Sequence, residues 1–299
     1  MIQLDDSKVT CVFSQEVPPV LFVDSGETVR IRTRDCFSNQ LQKPEDTMDS
    51  LDWDATNPAT GPIYVRGAVA GGAIKVKIED IELDGQIACC TGEAEGVCGD
   101  LFKGWSTGIR KIEDGAVIWG RGVKLPLAPM IGVIGVAPAA GLAINCGTPG
   151  THGGNMDCTQ IGPGATVYFP VEADGAGFCC GDMHAVMGDG EIGVSGAEVA
   201  GYPIVTLTAM PDLKLNHPLL ETDTEFGVIV SATSLDAAAE EAVHELVRII
   251  TARVDIPADE LVMLLSLCAD VRVCQMVDPL KTVRFMAPKY VLDALGFVL

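Results

Sequence analysis

Cations are what this sequence has least of. Its 299 residues carry 20 Lys plus Arg against 41 Asp plus Glu, a formal net charge of −21. A nucleic-acid binder must supply cationic side chains to replace condensed counterions, so that class is excluded. An anionic membrane surface is excluded by the same repulsion. Histidine is also scarce, with four residues in all, so each can be judged singly. No C-x-x-C spacing occurs among the eleven cysteines, which removes zinc-ribbon and thioredoxin-like readings. The vicinal pairs Cys89-Cys90 and Cys179-Cys180 are poor disulfide partners, because neighbours on a strand point to opposite faces. The cysteines are therefore expected to be reduced and mostly buried, in a cytoplasmic protein. Residues 1–6 show no basic region running into an apolar one, as a secretory signal would. Residues 125–156 contain no Asp, Glu, Lys or Arg, yet Pro126, Pro129, Pro138 and Pro149 forbid a spanning helix there. That uncharged, turn-rich stretch is expected in the interior or in a cleft wall.

What is present suits a large core. Hydrophobic residues make up 48% and charged residues 20%, so disorder is excluded. The pattern predicts an α+β, mostly β fold: β-barrel or sandwich-like sheets with an α/β C-terminal portion. Residues 1–299 read as one compact catalytic unit, with a β-rich lobe over 1–125, a central β region over 126–232 and a helical portion over 233–299. Strands are predicted at 63–65, 74–78, 116–119, 166–169, 205–209 and 226–231, between glycine and proline punctuation. After Ser234, a plausible N-cap, the apolar period becomes helical through Ala239, Val243, Leu246, Val247 and Ile250. Pro257 opens a second helix over 258–268, and Pro288 a short third one that Gly296 ends. Five acids fall within 45–54, which reads first as a solvated loop and second as a cleft rim.

The chemistry concentrates in the middle of the chain. In an extended Gly181-Asp182-Met183-His184, Asp182 and His184 share a face, and an oxygen donor beside a nitrogen donor suits a borderline divalent ion. A turn at Gly188-Asp189-Gly190 would return Glu191 toward that strand. Upstream, His152-Gly153-Gly154-Asn155-Met156-Asp157 offers a further His and carboxylate on pliable backbone. Residues 188–193 also match G-x-G-x-x-G, but two carboxylates would face the pyrophosphate and Gly193 and Gly196 discourage the helix that the motif needs. His217, in a turn signal, and His244, among glutamates, read as surface residues. There is no Walker A string, no G-x-S-x-G elbow and no H-E-x-x-H.

Taken together, these strings resemble the acetamidase/formamidase family. The carriers are Asn57-Pro58-Ala59-Thr60-Gly61-Pro62-Ile63-Tyr64-Val65, Gly132-Val133-Ile134-Gly135-Val136-Ala137-Pro138, the two central motifs just described, and Cys274-Gln275-Met276-Val277-Asp278-Pro279-Leu280-Lys281-Thr282-Val283-Arg284. The resemblance implies hydrolysis of a small neutral aliphatic amide to a carboxylate and ammonia, by a homo-oligomer that uses a divalent metal. Zn²⁺ is expected first, with Ca²⁺ or another divalent ion as alternatives. The same resemblance implies Asp157 and His184 as metal ligands, with Asp182 and, at an early acidic position, Asp35 as further metal residues. Glu191 is the expected proton-transfer residue, with His152 as a second catalytic group.

Three alternatives stay open at this level. A nitrilase-type Glu-Lys-Cys site survives counting, although no cysteine sits in an activating context. A related small-lactam hydrolase would use the same site. A non-catalytic, metal-stabilised β protein would close the same ligands around an ion and leave no open position.

Overall fold

A computed structural model describes residues 1–299 and shows two large sheets packed on each other, with helices over one end. The first sheet has nine strands in the order Ile2–Leu4, Glu27–Ile31, Gly201–Met210, Ala73–Leu83, Thr166–Pro170, Leu219–Glu221, Glu225–Ala232, Lys281–Pro288 and Asp270–Gln275. The second has eleven. Its spine runs Val123–Pro126, Ala116–Gly120, Trp105–Glu113, Gln86–Gly92, Glu198–Val199, Phe178–His184, Met130–Gly135 and Gly153–Asn155. The strand Ala59–Val65 joins it along Phe178–His184 and carries Val9–Thr10 and Leu21–Val23. The fold is thus α+β and mostly β, as the sequence predicts.

Every predicted strand lies within an observed one. The main core fills the space between the sheets with β-branched and aromatic side chains such as Ile31, Ile74, Val76, Ile131, Phe169 and Phe178. Each such side chain, fully buried, contributes about 1.5–3 kcal/mol. The uncharged stretch is split. Met130–Gly135 is buried at all six positions and forms interior wall, whereas Leu125, Pro126 and residues 139–143 are exposed, so the expectation holds for only part of it.

Helix α1 spans Leu235–Thr251, α2 Ala258–Cys268 and α3 Lys289–Ala294. Ser234 caps α1 by accepting from the Ala237 amide, and Gly296 follows α3 at φ +71°. The buried face of α1 is rotated from the expected stripe. Ala238, Ala242, Leu246, Ile249 and Ile250 are fully buried, whereas Ala239, Val243 and Val247 are half-buried. The two alanines let the helix sit close on the sheet, and these side chains join Val228, Val230 and Val283 in a second core. Between α2 and α3 lies the antiparallel pair Asp270–Gln275 and Lys281–Pro288, which extends the nine-stranded sheet beyond the strands read from sequence.

All eleven cysteines are free, and six of them are buried. No helix is long and apolar enough to cross a membrane. In the acidic run, Glu45, Asp49, Asp52 and Asp54 are exposed while Met48 and Leu51 are buried. The carboxylates are solvated, and the loop's apolar side faces the protein.

Candidate metal centre

The site is built where Met130–Gly135 runs antiparallel between Gly153–Asn155 and Phe178–His184. The ladder pairs Ile131 with Met183 and Val133 with Gly181, which sets Gly132 opposite Asp182. A Cβ on Gly132 would collide with the carboxylates of Asp157 and Asp182, so the missing side chain is the space those two acids use. Gly196 plays the same part for the His184 ring. Three of the acids sit on left-handed backbone, Asp157 at φ +43°, Asp182 at +50° and Glu191 at +47°. Such conformations cost of order 1–3 kcal/mol each for residues other than glycine, and they persist where the surroundings enforce them. At Asp182 the left-handed residue also breaks the strand's alternation, since Cys180 and Met183, of opposite parity, both reach the main core.

His184 is the hub. Its Nε2 lies 3.1 Å from Glu198 Oε2, 3.3 Å from Asp182 Oδ1 and 3.9 Å from Asp157 Oδ1. All four residues are buried. Potential ligand atoms of Asp157, His184 and Glu191 lie within 4.8 Å of one another, as do those of Cys36, Asp182 and Glu198. Both oxygens of Asp157, Asp182 Oδ1, Glu198 Oε2 and His184 Nδ1 make no hydrogen bond despite being shut away from solvent. Buried, unsatisfied carboxylate oxygens are costly unless a cation faces them. Arginine and lysine are absent from this inner group, and one imidazole cannot balance four carboxylates. The donor set therefore fits a divalent ion, with oxygen ligands around one nitrogen.

The same crowding sets the proton affinities. Burial, with Asp182 and Asp278 nearby, pushes the Asp157 carboxyl well above the usual range. Burial and the Asp157 charge do the same to Glu191. Burial raises Glu198 to about 7, although His184 pulls against it. For His184, burial alone would lower the value, but Glu198 and Asp182 hold the imidazole well above its ordinary pKa.

The acetamidase/formamidase family profile matches residues 3–147 and 143–286. The chain belongs to that family. Among solved structures, it is similar to the predicted acetamidase/formamidase of Thermoanaerobacter tengcongensis, with 45% identity, 100% of this chain and 99% of that one covered, and a TM-score of 0.97. It is similar to the acetamidase of Bacillus halodurans at 41% identity, with 99% and 100% covered and the same TM-score of 0.97. A formamidase candidate of Schizosaccharomyces pombe is 26% identical over 268 residues, 68% of this chain and 65% of that one. This chain thus spans just under two thirds of that relative's length.

For this acetamidase/formamidase family member, the structure brings Asp157, Asp182, His184 and Glu191 together. Asp35 is buried next to Cys36, but its oxygens are engaged by the Asn39 amide and Gln42 Nε2 at 2.7 and 3.3 Å. Burial lifts it to about 6. His152 is not brought to the acids: it packs edge-on against Phe13 at 5.1 Å between ring centroids, and burial alone drops its pKa to about 4. His217 lies 3.4 Å from Glu241 and His244 is exposed, both away from the centre.

The return from Gly188-Asp189-Gly190 differs from the expected tight hairpin. Gly190 bridges to Gln275, and the strand that comes back beside His184 is Glu198–Val199, in register His184 opposite Glu198. Sequence reasoning missed Glu198, because a strand of two residues offers no alternation to read. It also assigned no role to Cys36, Asn155 or Asp278, though Asn155 and Asp278 stand in quoted strings and Cys36 directly follows Asp35. Asn155 Nδ2 donates to Asp278 Oδ2 at 3.0 Å, and burial and Glu191 raise the Asp278 carboxyl.

Two cavities meet at Glu191. The larger, about 780 Å³, is an apolar groove on the other side of the 188–196 loop that reaches Glu191 but none of Asp157, Asp182, His184 or Glu198. The smaller, about 170 Å³, is lined by Asp182, Glu191, Glu198, Asn155 and Asp278. Only the smaller one reaches Asp182 and Glu198 as well as Glu191.

Proposed function

We propose that this protein hydrolyses short primary amides, R–CO–NH₂ + H₂O giving R–COO⁻ and NH₄⁺, with a divalent ion as cofactor. The observation that carries the reading is the juxtaposition of an unsatisfied Asp157–His184–Asp182–Glu198 set with the carboxyl of Glu191 at the wall of a 170 Å³ cavity. The first four residues would hold the ion, which supplies Lewis acidity and lowers the pKa of water from 15.7 to about 7. Zinc is our first choice on the strength of the imidazole ligand, with calcium the oxygen-preferring alternative.

Glu191 is the residue that moves the proton. Its carboxyl lies close to those of the Asp157–His184 group and at the wall of the cavity, so as a carboxylate it can take a proton from the attacking water and hand it to the departing nitrogen. Asn155 and Asp278, joined at 3.0 Å, are placed to orient the amide's nitrogen and carbonyl edge. Apart from the ion, the cavity wall offers no Lys or Arg to an anionic substrate, which favours a neutral one. The cavity reaches two of the proposed ligands, Asp182 and Glu198, which supports an open site over a closed structural one. The proposal further takes the protein to be a cytoplasmic homo-oligomer.

The test joins chelation with one substitution. Ammonia release from formamide and acetamide should disappear on metal removal and return on adding Zn²⁺. Glu191→Gln should retain the ion and lose about 10²-fold or more in turnover, the usual scale for general acid–base catalysis. Activity that survives exhaustive chelation and dies on thiol alkylation would overturn the mechanism in favour of a covalent one.

A further inference from the structure

The lining of the 170 Å³ cavity contains two groups of touching side chains. Asp182 and Glu198, with the Asn155–Asp278 pair and Glu191, are polar, and Phe37, Met48, Trp105 and Trp53 are apolar; Thr56, Asn57 and Ser195 are among the residues that complete the wall. A primary amide has the same polarity. Its carbonyl and nitrogen carry all the hydrogen-bonding groups, and its acyl substituent carries none. Reversing it in the cavity would set its polar atoms against the aromatic group and its alkyl group against carboxylates, which is the less favourable arrangement.

We infer that Trp53 and Trp105 form the wall against which the acyl substituent rests, and that they set the longest chain the site accepts. This inference deepens the amidase reading and rests on it.

The two rings are packed at 5.4 Å between centroids and tilted by 46°. They arrive from unrelated parts of the chain and are held differently. Trp105 opens the strand Trp105–Glu113 and lies over Gly92 of the paired strand, where a Cβ would come within 2.7 Å of the indole. It also packs against the small core of Cys36, Phe37, Leu41, Met48, Leu51 and Ala88, so its position is fixed. Trp53 is 52% exposed on the 3-10 turn Trp53–Ala55. That turn is anchored by a reciprocal pair, the Asp52 amide donating to Gln40 Oε1 at 2.9 Å and Gln40 Nε2 to the Asp52 carbonyl at 3.3 Å. The acidic run from 45 to 54 therefore delivers an indole to the mouth of the site while its carboxylates stay in water.

Size points the same way. Sites for drug-sized ligands run to about 300–1,000 Å³, so 170 Å³ suits a molecule of a few heavy atoms. In such a pocket, one methylene changes kcat/KM by about 10–200-fold. Trp53 can be trimmed with little risk to folding, because half its surface is already in solvent. Trp105 is the core-anchored partner.

The experiment measures kcat/KM for formamide, acetamide, propionamide, butyramide and benzamide with the zinc-loaded wild type, Trp53→Ala, Trp53→Phe and Trp105→Leu. Metal content of each is measured alongside. The expected result is a wild-type profile that falls with chain length, and a butyramide-to-acetamide ratio at least about tenfold higher in Trp53→Ala. Trp53→Phe should lie near wild type, and metal content should not move. A ratio within twofold of wild type in both Trp53→Ala and Trp105→Leu would overturn the wall.

A second measurement separates this outcome from failure of the amidase reading. The chain has three tryptophans, two of them in the wall, so its emission reports on that part of the cavity. If no amide is hydrolysed, the amidase reading fails, and the wall is judged by fluorescence. A saturable change with acetamide that weakens with butyramide supports it. Linear quenching that is blind to chain length overturns it.

Discussion

Glu198 and His184 face each other across two antiparallel strands, with Oε2 and Nε2 3.1 Å apart and no hydrogen bond to that carboxylate oxygen. The opposite oxygen is already fixed by the Gly196 amide at 2.7 Å. One end of the carboxylate is thus oriented and the other is left to point at the proposed ion.

Replacing Glu198 with Gln preserves the size and the Gly196 contact but removes the charge. Divalent-ion affinity should fall about 10–100-fold, as it does when a supporting group of a metal site is lost, or further if Glu198 ligates directly. Titration calorimetry on chelator-treated protein reads this, with elemental analysis as a check. An unchanged dissociation constant would take Glu198 out of the centre.

Glu198 also marks where sequence stops being legible. Asp182 and His184 could be paired from a period of two, and Asp157 and Glu191 from their glycine-rich settings. Those signals are local. Glu198 reaches the site through cross-strand register, Cys36 through the loop that follows an early strand, and Asp278 through a strand pair hidden between two helices. Each depends on pairing across many residues, which no short window encodes. The fold class was readable because alternating and helical periods are local. The rotation of the α1 stripe was not, because the buried face of a helix is decided by the sheet it meets. His152 shows the opposite case. A histidine beside glycines invites a catalytic reading, and here the ring packs on Phe13 with its Nε2 buried and unpartnered rather than beside the acids.

The position of Glu191 depends on a residue nearly a hundred positions away. Arg284, 3% exposed on Lys281–Pro288, donates to both oxygens of Asp189 at 3.1 and 2.7 Å and to Gln160 Oε1 at 2.7 Å. The next amide, Gly190, donates to the Cys274 carbonyl at 2.8 Å. The turn that presents Glu191 is therefore pinned to the C-terminal strand pair. Arg284→Gln should lower kcat about 10²-fold with the ion retained, since displacing a catalytic group by about 1 Å costs that much. Arg284→Lys should not restore it, because a point charge cannot reproduce the two-pronged contact. Steady-state kinetics with metal analysis on both variants checks this. Wild-type kcat in Arg284→Gln would show that the turn holds itself.

The buried acids also give the metal-free protein an unusual pH response. Asp35 binds its proton with a pKa of about 6 and Glu198 with one of about 7, both raised first by burial, while unfolded carboxyls titrate near about 4. Between about pH 4 and 7 the folded chain therefore holds protons that the unfolded chain has released, and stability falls as pH rises. Asp157, Glu191 and Asp278 are raised as well and act in the same direction. So does His184, whose contribution is complete below the ordinary histidine value and is lost as pH climbs through its raised one. His152, lowered to about 4, opposes them, since its unfolded form takes up a proton below about 6.5. One imidazole is outweighed by five carboxyls and a second imidazole. Chelator-treated protein should melt at a higher temperature at pH 5 than at pH 7.5. Saturating Zn²⁺ should remove or invert that difference, because it binds the deprotonated ligands and gains affinity as pH rises. Calorimetric scans across pH 5–7.5 with and without the ion decide it, and a metal-free melting temperature that climbs steadily over that range would show the acids are not coupled as the geometry requires.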